Sequence, residues 1–208
     1  MPRRRSLTTA AIGAAALAVV ERDGLAALSM RAVAAEMGVG AMSLYRYVAG
    51  REEVEGLVVD LVLAAADTDV PPTDPWAERV ATLVERVRDA VGAHPAVVPL
   101  LLTRRHASEG TIRWGEAVLA ALDDGGFTGE HRVIAFRTLL SYVIGAVQVE
   151  HLGPLSGAGT VALAGLPADR YPMLADTAAH ARHVAAADEF RRGLAVVLRG
   201  LAGEAPAG

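Results

Sequence analysis

Apolar residues return every three to four positions through most of this chain, whereas strand-like alternation of Val, Ile, Thr and Tyr with polar residues is hard to find. That periodicity predicts an all-α protein. A first helix is expected over 9–23, with Ile12, Ala16, Val19 and Val20 on one face and Gly24 as its stop. Ser29 reads as the N-cap of a helix over 30–37 that turns Val33, Ala34 and Met37 inward. Gly38-Val39-Gly40 breaks it, and a third short helix over 41–48 places Leu44, Tyr45 and Val48 inside and leaves Met42, Ser43, Arg46 and Tyr47 more exposed. Two short amphipathic helices joined by a glycine turn and braced by a preceding helix form a helix-turn-helix pattern. An ordinary helical hairpin in a bundle would carry the same glycine turn.

Further along, a fourth helix is expected over 51–66, with Glu52 and Glu53 well placed in its first turn. Residues 67–75 hold three prolines, cannot continue a helix and mark a boundary. Beyond them, helices are expected at 76–93, 96–105, 108–124, 130–152, 171–185 and 187–201, with 153–169 a long Gly-, Ala- and Pro-rich loop. The expected domains are a helix-turn-helix head over 1–51, a connecting helix and linker over 52–75, and a larger helical body over 76–208.

Charge sharpens this division. The whole chain carries a net charge of −4, but residues 1–51 hold seven arginines against three acids, a net of +4, and residues 52–208 a net of −8. A basic head on an acidic body suits a protein that presents one end to phosphates. All twenty basic residues are arginine, a usage that points to a GC-rich bacterial genome. The absence of Cys removes disulfides and thiolate chemistry. The longest uncharged apolar stretches, 8–20 and 139–149, fall short of the ~18 apolar residues a bilayer span needs. These features predict a soluble, cytoplasmic protein. Arg3-Arg4-Arg5 followed by an Ala-rich run also imitates an export signal, a reading that a mature N-terminus retaining those arginines eliminates.

The run from Leu28 to Glu53 contains Leu28-Ser29-Met30-Arg31, then Ala34-Ala35-Glu36-Met37-Gly38-Val39, then Leu44-Tyr45, the aromatic Tyr47 and the basic Arg51. In that order and spacing it closely resembles the DNA-binding head of the tetracycline-repressor (TetR) family. The body resembles that branch's regulatory domain in helix number, without a sharp motif. The resemblance implies a homodimeric transcriptional repressor that leaves a palindromic operator when a small molecule binds. Ser29 and the N–H groups around Met30 would meet a phosphate, Arg31 a phosphate or a guanine edge, and Tyr45, Tyr47 and Arg51 flanking phosphates. Base reading would fall to Ala41, Met42, Ser43 and Arg46, where Arg forks to guanine and the apolar pair meets thymine methyls, with Gly40 letting the backbone approach. Tyr45 has an alternative role in the core. Arg3 to Arg5 would form a flexible arm on phosphates, or a solvated arm without a role.

For the body, His94, His106, Trp114, Arg137, Tyr142, Gln148 and Glu150 are the candidate effector contacts, as polar or aromatic groups on otherwise apolar helices. The resemblance implies a four-helix dimer interface from 130–152 and 187–201, where Gly145, Ala146, Gly193 and Ala195 permit close approach. The same helices could instead close the core of one chain. His180 and His183 share a helical face without an evident third ligand, and Gly157-Ala158-Gly159-Thr160-Val161-Ala162 follows no strand. Neither a metal nor a cofactor is predicted, and no catalytic residues are assigned. An all-helical enzyme or a protein-binding adaptor is the alternative, although no nucleophile-elbow, metal-hydrolase or phosphate-loop motif is present.

Overall fold

The computed structural model describes residues 7–104, 108–152 and 157–204, so Arg3, Arg4, Arg5 and His106 lie outside the described residues. Among these residues the chain forms eleven α-helices and no strand. The all-α expectation holds.

The helices fall into two compact units, Met1–Pro72 with Thr82–Ala120, and Thr73–Ala81 with Ala121–Gly208. The first begins with α1 (Thr9–Asp23), whose N-cap Thr8 accepts from the Ala11 N–H at 3.1 Å and whose stop, Gly24, takes φ 83°. α1 packs on α4 (Arg51–Leu63) closely enough that a Cβ at Gly13 would sit 3.2 Å from the Leu57 carbonyl oxygen. α2 (Met30–Glu36) and α3 (Ala41–Leu44) pack against each other beside α1. Ile12, Val19, Val20, Val33, Leu44 and Val58 are wholly buried among them.

The same unit contains most of α5 (Trp76–Gly92), α6 (Val98–Arg104), which packs on α4, and most of α7 (Glu109–Asp124). Ser108 is buried and caps α7 by accepting from the Thr111 N–H at 3.2 Å. Gly110 lets α7 approach α4, since a Cβ there would fall 2.9 Å from the Cβ of Leu63.

The second unit contains the start of α5, the end of α7, and α8 (Gly129–Leu152), α9 (Ala158–Ala164), α10 (Pro172–Ala181) and α11 (Ala186–Glu204). α7 ends in a Schellman turn. Gly126 adopts φ 83°, its N–H bonds the Asp123 carbonyl, and the Phe127 N–H bonds the Leu122 carbonyl at 3.0 Å. The turn drives Phe127 into the core edge-on to Trp76, ring centroids 5.1 Å apart. Arg79, almost wholly buried, is paired with Asp124 across the same corner.

Several expectations change. α9 occupies part of the stretch read as a loop, because Ala-rich 158–164 has high helix propensity and packs on α10. α4 closes at Leu63 rather than 66, and α3 at Leu44 rather than 48, the chain continuing as a turn through Tyr47. With Leu44 and Val48, four positions apart, taking the inner side, Tyr45 faces outward instead of inward. Finally, residues 129–151 of α8 are long and apolar enough to cross a membrane by length and composition, with mean hydropathy 1.4.

Candidate nucleic-acid interface

The helix-turn-helix is built by two local devices. Ser29 opens α2 by accepting from the Ala32 N–H at 3.2 Å. A second Schellman turn then closes it, in which Gly38 takes φ 68°, its N–H bonds the Ala35 carbonyl, and the Val39 N–H bonds the Ala34 carbonyl at 2.9 Å. The left-handed Gly38 sends the chain directly into α3.

The expected DNA-facing residues gather at this end. Met42 is 78% exposed, Tyr45 49% and Tyr47 39%, beside exposed Arg46 and half-buried Ala41 and Ser43, while Leu44 between them is wholly buried. Large exposed apolar groups around a cation on so small an element are not explained by packing within the chain. Gly40 is exposed at an ordinary φ of −75°, and a Cβ there would meet nothing within 4 Å. The fold itself thus has no need of glycine at 40.

Ser29 and Arg31 are exposed at the start of α2, but the Met30 side chain is buried, so only its backbone N–H can face a phosphate. Charge is distributed unevenly among the arginines. Arg22 is bound to Asp23 and Glu36, whose hydrogen bonds raise its pKa above the ordinary arginine value, with Asp23 the larger cause. Arg31 and Arg46 form no ion pair among the described residues. Arg51, read as a phosphate contact, has its Nε on Glu55 Oε1 at 2.7 Å and a longer bond to the Leu25 carbonyl. Sequence reasoning missed Glu55 itself. Its other oxygen accepts from Arg104 Nε at 2.9 Å, and that bond is the main cause raising the pKa of Arg104. The i,i+4 spacing of Arg51 and Glu55 was visible in the sequence, but the third partner is 49 residues away.

The candidate effector residues are divided between the units. His94 and Trp114 belong to the first, where His94 Nδ1 lies 2.5 Å from Glu21 and buried Trp114 donates to the Leu83 carbonyl at 3.0 Å. In the second, Arg137 is exposed and Gln148 half-buried. Tyr142 and Glu150 line a cleft of about 540 Å³ between α8 and α11, with Gly145, Ala146, Glu189 and Gly193 among its other walls. Tyr142 donates to the Phe190 carbonyl at 2.5 Å, and a Cβ at Gly193 would strike its hydroxyl. Gly193 therefore serves a close contact within the chain. A Cβ at Gly145, by contrast, would meet nothing within 4 Å. His180 and His183 are both exposed, and no cluster of three metal-ligating groups occurs among the described residues.

A Schellman-turned helix-turn-helix in one unit and long paired helices in the other, all-helical among the described residues, define a helix-turn-helix protein of regulator architecture. A profile described as bacterial regulatory proteins, tetR family, matches residues 12–54, and one described as tetracyclin repressor-like, C-terminal domain, matches residues 70–204. The chain belongs to the tetR family of bacterial regulatory proteins. It is 31% identical over 144 residues to an HTH-type transcriptional regulator of Saccharopolyspora erythraea, covering 69% of this chain and 61% of that protein. The HTH-type transcriptional repressor DrrR1 of Streptomyces coeruleorubidus is equally similar over 69% of this chain and 53% of its own length. The matched region thus spans between half and two thirds of these relatives. Among solved structures, apo ActR from Streptomyces coelicolor superposes with a TM-score of 0.83 at 28% identity, covering 96% of each chain. The same protein solved in complex with actinorhodin gives 0.84 at 27%, covering 97% of this chain and 98% of that one.

Proposed function

We propose that this chain is a homodimeric, sequence-specific DNA-binding regulator that represses transcription from a palindromic operator and is released by a small-molecule effector. The observation that carries the reading is the exposed set Met42, Tyr45, Arg46 and Tyr47, on α3 and the turn that follows it, against the buried Leu44 and Val48. Residues 1–51 act as the DNA-binding head, 52–75 as connector, and 76–208 as the ligand-binding and dimerisation body. Arg46, Ser43, Met42 and Ala41 read base edges, while Ser29, Arg31, Tyr45, Tyr47 and Arg51 meet phosphates, with Met30 contributing its backbone N–H. One head offers few contacts, so tight binding requires two heads on two half-sites.

The open space at Gly145 and the exposed apolar side chains of Val133, Ile134 and Val196 support dimerisation through α8 and α11. The same reading accounts for an apolar α8 without a membrane, and places the protein in the cytoplasm with no catalytic role. ActR in complex with actinorhodin or (S)-DNPA supports effector binding in the body. Selection of random duplex DNA on the purified protein tests the proposal. An enriched palindrome, bound as a dimer and lost as salt rises, is the expected result. Failure to enrich any sequence, with no affinity for DNA at low salt, would overturn it in favour of an enzyme or adaptor.

A further inference from the structure

We infer that Arg104, on α6, is a positioning residue for DNA binding, acting on the phosphate contact of Arg51 through the shared carboxylate of Glu55. The inference rests on the proposed DNA-binding function. Glu55 is one of few charged side chains buried in the structure, about 7% exposed, and both of its oxygens are occupied. Oε1 accepts from Arg51 Nε at 2.7 Å and Oε2 from Arg104 Nε at 2.9 Å. Arg51 is the first residue of α4 and is half-exposed, with Nε held by Glu55, Nη2 at 3.4 Å from the Leu25 carbonyl, and the remainder of the guanidinium open to solvent. Arg104 is the last residue of α6 and also reaches Glu52 at 3.3 Å.

A buried carboxylate needs compensating charge. With Arg104 in place, Glu55 divides its field between two cations, and Arg51 keeps net positive charge toward a phosphate. Without Arg104, the whole carboxylate falls on Arg51, neutralising it and pinning it inward. α6 lies in the matched C-terminal domain, packs on α4, and through Arg104 ties its last residue to Glu55 and Glu52 in the first turns of α4.

The test measures binding of wild type, Arg51→Ala, Arg104→Ala and the double variant to the selected duplex across a salt series. Each single variant is expected to weaken binding about fivefold and to lower the salt slope by about one phosphate contact. Arg104→Ala should do neither in the Arg51→Ala background, and Arg104→Lys should restore the slope. A structural role alone would not move the slope. Additive losses in the double variant, or an unchanged slope in Arg104→Ala, would overturn the inference. Should Arg104→Ala fail to melt cooperatively, Glu55→Gln decides. Releasing Arg51 must tighten binding and steepen the slope, and weaker binding refutes the relay. Wild type that retains no duplex would instead overturn the DNA-binding function itself, and this inference with it.

Discussion

The small helical head and the paired α8 and α11 both leave large apolar side chains in solvent, but for different reasons. In α1 to α4 the apolar pattern and the burial agree almost position by position, from Ile12 through Val33 to Leu44 and Val58. Against that background Met42, Tyr45 and Tyr47 stand out as residues the fold does not use. In α8 apolarity runs around the helix, and only 22% of its most apolar window is buried within the chain. Ala135, Leu139, Val143 and Val147, four positions apart, form one buried stripe, while Val133 and Ile134 lie exposed among polar Arg137, Thr138 and Ser141. A well-packed small element makes functional residues legible one at a time. A long helix that mixes apolar and polar residues all round leaves its exposed apolar side chains without a pattern that singles any of them out.

The strongest way to break this contrast is Leu44→Ala. Removing the wholly buried side chain at the centre of the head should cost about 2–5 kcal/mol and abolish DNA binding, read by thermal melting and duplex binding. A stable, binding-competent variant would show that the head's core is not what presents the exposed residues. Arg46→Ala should leave melting unchanged and relax discrimination by ~1–3 kcal/mol at one base position, seen as a flattened preference in a repeated selection. An unaltered preference would move base reading from Arg46 to the residues of α3 itself.

Within the paired helices, two glycines sharpen the comparison. Gly193→Ala pushes a methyl against the Tyr142 hydroxyl and should destabilise the chain by ~1–3 kcal/mol, whereas Gly145→Ala meets nothing inside it. The Gly145 variant should keep its stability as a monomer but weaken self-association in sedimentation. Equal melting losses for both would show that Gly145, too, serves only the internal core. Ser29→Ala should give the smallest effect, about 1 kcal/mol from the lost cap of α2, measured by denaturant unfolding.

The helix-turn-helix was legible in the sequence because its determinants are local. Ser29 lies three residues from the N–H it caps, Gly38 is the residue that tolerates a positive φ, and Leu44 and Val48 are a four-residue pair. The same periodicity placed the stops of α1 and α7 and the long α8. Composition hid α9, since glycine and proline around 153–169 outweighed the Ala-rich stretch that packing on α10 holds helical.

What only the tertiary structure decided are contacts between residues distant in the chain. Among them are Arg104 on Glu55, His94 against Glu21, and Tyr142 over Gly193. Short-range spacing fixes which face of a helix a residue occupies. Which partner meets that face depends on how the helices pack, a property of the whole core that no local pattern carries. Tyr45 shows the same limit at one position. Its place just after α3 allowed either side, and the burial of Leu44 and Val48 turned it outward.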